Sequence, residues 1–158
     1  MQSTSLLSLA AHGAKGALCE KARDSTLCVQ RHVRDFNSLT RWHPAISGSQ
    51  IEGGQQSTAV GCVRKLVLTS GKVVREQLLE LSDANYRFIY NILESDIGLL
   101  DYVAEFSLQR VTDGDRTFAV WSADFRTEPG LEAEKAIMVR QDVFQRGFDA
   151  LKAKSILL

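Results

Sequence analysis

Apolar and polar residues alternate along three segments in the middle and later part of the chain. The pattern is clearest in residues 101–111, where every second residue from Tyr102 to Leu108 is apolar. Residues 86–93 and 117–126 alternate in the same way. Because successive side chains of a strand point to opposite faces, this period predicts β-strands with one buried face. The predicted buried face carries the aromatic residues Tyr90, Tyr102, Phe106 and Trp121.

Three more strands are predicted earlier in the chain, at 46–51, 59–69 and 72–81. Ser70-Gly71 separates the last two and predicts a hairpin turn. The first strand has two candidate positions. We prefer Ala14–Ala22, because it leads directly into the first helix, and we interpret residues 1–12 as a loose extension or as part of that strand.

Helical spacing occurs at both ends of this strand region. Asp24 or Ser25 is a plausible N-cap for a first helix that stops near Phe36, and Pro44 ends a second short helical turn. After Pro129-Gly130, residues 130–153 are predicted to form one long helix. Its apolar stripe is formed by Ile137, Val139 or Arg140, Phe144, Phe148 and Leu151.

Hairpin-linked strands followed by one long helix predict an α+β fold. In this fold a curved antiparallel sheet of six or seven strands wraps around the C-terminal helix, and two short helices follow the first strand. The concave face is richer in aromatic residues than a tight helix–sheet core usually needs. We therefore expect a cavity between the sheet and the helix.

Composition limits the classes of function. The 158 residues are enough for a single domain spanning 1–158. Lys and Arg together number 19, as do Asp and Glu, so no net charge attracts nucleic acid. No apolar run is long enough to span a membrane. An odd number of cysteines (Cys19, Cys28 and Cys62) without a close pair indicates reduced thiols and a cytoplasmic setting.

Trp42 and His43 are the first candidates for a binding site. We place both at the mouth of the cavity, with Trp42 as an apolar wall and His43 as a hydrogen-bonding or acid–base group. The alternative is that Trp42 packs the short helix onto the sheet and His43 only bonds a backbone carbonyl. The His and Cys spacings do not match a metal site, and no cofactor motif is recognisable.

Arg75 is the candidate that would orient a ligand. Two alternating sets compete for the concave face of strand 72–81, one containing Arg75 and the other Glu76. We place Arg75 inward, because the second set carries two carboxylates. A buried Arg75 needs a partner, either a protein carboxylate such as Asp101 or a ligand. The ligand would then be an apolar molecule with one polar or anionic group.

Several segments together resemble a known family. They are RDFNSLTRWHPAI, IEGG, VRKLVLTSGKVVREQLLEL, LLDYVAEF and TFAVWSADF, within residues 27–151. They resemble the polyketide cyclase/dehydrase branch of the START-related superfamily (SRPBCC), which shares the helix-grip fold of the major birch pollen allergen. The resemblance implies two short helices, a highly curved sheet, a long C-terminal helix and a hydrophobic pocket. It does not imply a particular reaction.

The leading functional hypothesis is the binding of a small hydrophobic or lipid-like molecule by a carrier, sensor or storage protein. The ligand-binding candidates are Trp42, His43, Arg75, Tyr90, Tyr102, Phe106, Trp121 and Phe144. The second hypothesis is a cyclase or dehydratase that uses His43, Arg75 and Tyr102 on a polyketide-like or aromatic substrate. The third is a ligand-gated module for protein interaction, which would expose an apolar patch around Trp42. A protein partner or a homodimer stays open.

Overall fold

In a computed structural model, which describes residues 4–12, 25–113 and 116–157, the chain forms a seven-stranded antiparallel sheet. The strands are β1 (Thr4–His12), β2 (Ile46–Ile51), β3 (Val63–Leu68), β4 (Val73–Ser82), β5 (Arg87–Ser95), β6 (Leu100–Val111) and β7 (Arg116–Arg126). Their spatial order is β1-β7-β6-β5-β4-β3-β2. Hairpin neighbours are therefore adjacent from β2 to β7, and β1 pairs with the last strand.

Two short helices, α1 (Ser25–Val33) and α2 (Leu39–Trp42), connect β1 to β2. A C-terminal helix follows β7 and has three contiguous segments. They are α3 (Glu132–Met138), a π-helical segment (Val139–Gln145) and α4 (Arg146–Leu157). The predicted α+β helix-grip architecture is confirmed, with a curved sheet packed against this helix.

The preferred position of the first strand was wrong. β1 spans Thr4–His12 and pairs with β7 from Thr4 opposite Arg126 to His12 opposite Phe118. Residues 4–12 are thus a strand of the sheet and not a loose extension. The preferred position, Ala14–Ala22, lies outside the described residues.

The apolar stripe of the C-terminal helix differs from the prediction at its start. Phe144, Phe148 and Leu151 are buried as expected, whereas Ile137 is 57% exposed. Val139 and Phe144 are both fully buried although they are five positions apart. This spacing suits the i→i+5 hydrogen bonding of the π segment, which rotates the preceding turn out of the α-helical phase. The π segment therefore directs Ile137 to solvent and Val139 to the sheet.

The core consists largely of aromatic rings around Trp121. The Trp121 ring stacks on Phe144, with 4.8 Å between ring centroids, and meets Phe106 edge-on at 5.4 Å. Phe148 packs against both Trp121 and Phe106. These contacts fix α4 and the π segment onto β6 and β7.

The cysteines depart from the expectation of reduced thiols. Cys62 is free and buried, but Cys28 is disulfide-bonded. The argument from reduced thiols to a cytoplasmic setting therefore does not hold. Within the described residues, no helix combines the length and apolar character needed to cross a membrane.

Candidate functional site

A cavity of about 450 Å³ lies between the sheet and the C-terminal helix. Its aliphatic wall is formed by Leu39, Ile46, Leu66, Leu68, Val74, Ile92, Ile97, Leu99, Met138, Val139 and Val143. The exposed members of the lining, including Ser70, Lys72, Asp142 and Arg146, mark its opening between the β3–β4 hairpin and the helix. The buried polar members lie at the closed end.

An ion pair between Arg64 and Glu76 occupies the closed end of the cavity. The two residues are direct partners on β3 and β4. Arg64 Nε and Nη2 bond Glu76 Oε2 at 2.7 and 2.6 Å, and the side chains are only 3% and 9% exposed. Arg64 Nη1 also donates to the Phe36 carbonyl, and its guanidinium lies 3.7 Å from the centre of the Phe36 ring. These contacts satisfy a charge that would otherwise be costly to bury.

Two tyrosines adjoin this ion pair. Trp121 Nε1 donates to the Tyr90 hydroxyl at 3.0 Å, and the ring of Tyr102 packs beside that of Tyr90 with 6.1 Å between the ring centroids. Burial raises the pKa of both phenols, and the negative charge of Glu76 adds to the effect. Tyr90 and Tyr102 are therefore protonated hydrogen-bonding groups at neutral pH.

His43 lines the cavity at the end of α2. Its Nε2 donates to the Val143 carbonyl at 2.8 Å, and its Nδ1 accepts from the Ala45 amide at 3.2 Å. A carbonyl can only accept and an amide N–H can only donate, so the ring is the neutral Nε2–H tautomer. Burial lowers the pKa of His43, although the bond to Val143 works in the opposite direction. Both nitrogens are thus occupied by the backbone.

Gly147 lets the helix approach this wall closely. A Cβ atom at this position would lie 2.9 Å from Trp121 Cζ3 and 3.1 Å from His43 Cδ2. Such distances are too short for unstrained packing. The absence of a side chain at Gly147 therefore sets how near α4 lies to Trp121 and His43.

The predicted site residues other than Arg75 separate into two groups. His43, Tyr90, Tyr102 and Trp121 line the cavity. Trp42, Phe106 and Phe144 are buried behind its wall, where they pack against Trp121 and do not belong to the lining. Trp42 donates from Nε1 to the Ser38 hydroxyl at 3.2 Å.

The inward placement of Arg75 was wrong. Arg75 bonds Glu52 at 2.8 and 2.7 Å and Glu94 at 2.9 Å. It lies on the face opposite to the buried residues Val74 and Glu76. Asp101, its proposed partner, is instead paired with Arg126. Arg75 therefore cannot orient a ligand in the cavity.

Sequence reasoning missed Arg64 and Glu76. Counting carboxylates placed Glu76 on the solvent side, but a cross-strand arginine makes the inward position acceptable. The signal was present in the hairpin: a turn at Ser70-Gly71 brings Arg64 opposite Glu76. Arg64 and Glu76 also each lie between apolar residues on the same face of their own strand.

Metal binding has no support in the described part of the chain, where no group of three or more His, Cys, Asp or Glu side chains could hold an ion. The chemistry available at the closed end is hydrogen bonding by protonated phenols and a neutralised ion pair.

The fold and its lined cavity define a helix-grip protein with an internal pocket. The chain belongs to the family described as polyketide cyclase / dehydrase and lipid transport, whose sequence profile matches residues 29–155. No curated protein matches the chain.

Solved structures from bacteria share the fold. XoxI from Bacillus cereus is 22% identical, with a TM-score of 0.77 over 96% of this chain and 95% of that one. A protein from Thermobifida fusca is also 22% identical, with a TM-score of 0.76 over 93% and 90% of the two chains. A protein from Nitrosospira multiformis is 20% identical, with a TM-score of 0.75 over 97% of each chain. At this identity the likeness concerns the fold alone.

Proposed function

We propose that the protein binds a small, mostly apolar molecule in the cavity between the sheet and the C-terminal helix. The observation that carries the proposal is the cavity itself. Its volume of about 450 Å³ lies within the roughly 300–1,000 Å³ of ordinary small-molecule sites. An aliphatic wall with a few polar groups at one end suits a ligand with a single polar end. The family description, which includes lipid transport, agrees with such a role.

Native mass spectrometry of freshly purified protein tests this proposal directly. We expect a bound species of small-molecule mass that is lost on mild activation. A second test uses a neutral fluorescent probe, N-phenyl-1-naphthylamine, which brightens in apolar surroundings. Saturable binding is expected at about one probe per chain.

A matched pair of variants locates that binding. Ile92 lines the cavity, while its neighbour Leu93 is exposed on the other face of β5. Ile92→Trp should fill the cavity and abolish probe binding, whereas Leu93→Trp should leave it unchanged. Equal binding by both variants would place the probe elsewhere and refute the proposal.

Acid–base catalysis has less support than binding. Both nitrogens of His43 are engaged by backbone groups, and its pKa is lowered by burial. Tyr90 and Tyr102 have raised pKa values, so neither is a ready base. Glu76 is held by Arg64. These groups are better suited to fixing a ligand than to moving a proton.

The interaction-module hypothesis is also less favoured. It requires an apolar patch around Trp42, yet the side chain of Trp42 is buried beside Trp121 and His43. A binding protein with a closed aromatic wall is the simpler conclusion.

A further inference from the structure

We infer that the ligand ends in an uncharged hydroxyl group, held at the closed end of the cavity between the Tyr90–Tyr102 pair and Glu76. This inference rests on the proposed function and specifies the chemical class of the ligand. It follows from counting the hydrogen-bond donors and acceptors that the closed end leaves for a guest.

The tyrosine pair leaves at least one donor. Tyr90 already accepts the indole N–H of Trp121. The two phenols have two protons between them, and a hydrogen bond between the two hydroxyls would use only one. The other proton has no acceptor among the hydrogen bonds between described residues. Because both residues line the cavity, that proton is available to an oxygen of the ligand.

Glu76 leaves one acceptor. Arg64 bonds only Oε2 of the carboxylate, through Nε and Nη2, and its third contact is to the Phe36 carbonyl. Within the described residues, Oε1 of Glu76 receives no hydrogen bond. A carboxylate oxygen at a cavity wall is a strong acceptor, so the closed end also favours a guest that donates.

Charge excludes an anionic end at this position. The positive charge of Arg64 is matched by Glu76, so the closed end carries no net charge. A carboxylate placed there would face the free oxygen of Glu76, and Arg64, the cation at that end, is already paired with Glu76. The other cations of the lining are Lys72 and Arg146, which are exposed, and Lys135, whose amine lies 3.8 Å from the Glu134 carboxylate. The expectation of an anionic ligand, which depended on Arg75, is replaced by that of a neutral one.

A hydroxyl group can use both the free tyrosine donor and the free Glu76 acceptor, because it accepts through its oxygen and donates its proton. A ketone can only accept, so it would leave Oε1 of Glu76 unmatched. We therefore expect ligands that end in an alcohol to bind most tightly, those that end in a ketone less tightly, and those that end in a carboxylate least tightly.

The test uses 1-dodecanol, 2-dodecanone and dodecanoate as competitors against N-phenyl-1-naphthylamine in the wild-type protein. At about pH 8 the acid is ionised. We expect the alcohol to displace the probe at a concentration roughly 3- to 10-fold lower than the ketone, as one additional hydrogen bond allows. Dodecanoate should be the weakest competitor. Equal potency of alcohol and ketone, or stronger competition by dodecanoate, would overturn the inference.

A variant identifies the donor. The double substitution Tyr90→Phe with Tyr102→Phe removes both hydroxyls, and it should weaken the alcohol and the ketone relative to dodecanoate. Tyr86→Phe, the remaining tyrosine and not a lining residue, is the control and should keep the wild-type ratios of potency among the three compounds. Unchanged ratios in the double variant would overturn the donor assignment. If the double variant fails to fold, the competition series in the wild-type protein still tests the hydroxyl inference, because it needs no variant.

The outcomes separate the two proposals. If the probe does not bind, or none of the three compounds displaces it, the proposed function fails. If all three displace it without the predicted order, cavity binding stands and the hydroxyl inference fails.

Discussion

The imidazole of His43 donates a hydrogen bond to the backbone carbonyl of Val143, and the 2.8 Å contact joins residues that are 100 positions apart. It links the end of α2 to the π segment of the C-terminal helix. Nδ1 accepts the Ala45 amide, so a proton on Nδ1 would remove that hydrogen bond, whereas Nε2 could still donate to Val143. The buried ring and its full set of hydrogen bonds at this junction between the two sides of the cavity therefore favour the neutral form of His43.

Stability should therefore fall as the pH is lowered below the ordinary pKa of histidine, about 6.5. Burial lowers the pKa of His43 in the folded state, and the nearby Arg64 and Arg146 lower it further. The unfolded chain thus binds the proton first, and the contribution of His43 is lost as the pH falls through the folded pKa. Urea unfolding between about pH 7.5 and pH 5 measures this slope. His43→Gln should flatten it and His32→Gln should not; equal slopes in wild type and His43→Gln would contradict the assignment.

The Arg64–Glu76 pair predicts strong coupling between two substitutions. Glu76→Leu leaves Arg64 buried without its carboxylate, which should cost about 3–5 kcal/mol. The double variant Arg64→Met/Glu76→Leu should be more stable than Glu76→Leu alone, because no charge is left unpaired. Arg75→Met on the opposite face serves as the control and should change the free energy of unfolding little. Additive effects of the two single substitutions would show that the pair is not coupled.

Gly147→Ala should destabilise the protein although alanine is the better helix former by about 1 kcal/mol. The new methyl group would meet Trp121 Cζ3 at 2.9 Å and His43 Cδ2 at 3.1 Å. Trp121→Phe removes the closest of these atoms. The double variant should therefore show a smaller additional loss from Gly147→Ala than the wild-type background does. Thermal unfolding of the four proteins measures this coupling, and a stabilised Gly147→Ala would disprove the close approach.

Phe148→Ala should lower stability by about 3–5 kcal/mol, because it opens a void beneath Trp121 and Phe106. Ile137→Ala on the same helix should have little effect, since Ile137 is 57% exposed. Denaturant unfolding of the two variants compares them directly. A similar loss from both would mean that the helix packs in the originally predicted phase.

Alternation identified the β5, β6 and β7 strands and the aromatic face they share, because a period of two is a local property. It could not decide which face of β4 is buried. That choice depended on Arg64 of the neighbouring strand, which makes an inward Glu76 tolerable. A count of polar residues on one strand cannot detect a residue of opposite charge on the neighbouring strand that neutralises one of them.

The position of β1 and the phase of the C-terminal helix depended on longer-range effects. β1 is specified by its pairing with β7, which is more than 100 residues away. The phase of the helix depended on the π segment, whose extra residue leaves no recognisable mark in the sequence. His43 lines the cavity but is buried, so it does not lie at the mouth as predicted, and its bond to a backbone carbonyl matches the alternative role given for it.

The π segment has a consequence for relatives of different length. A π segment accommodates one residue more than an α-helical turn, so removing one residue from it would restore α-helical bonding and leave α3 in the same orientation relative to α4. Ile137 would still face solvent, and Met138 would still face the cavity. A relative that is one residue shorter can therefore present the same wall, provided that the gap in an alignment is placed within Val139–Gln145. Without that gap, the residues of α3 would be compared one position, or about 100°, out of phase.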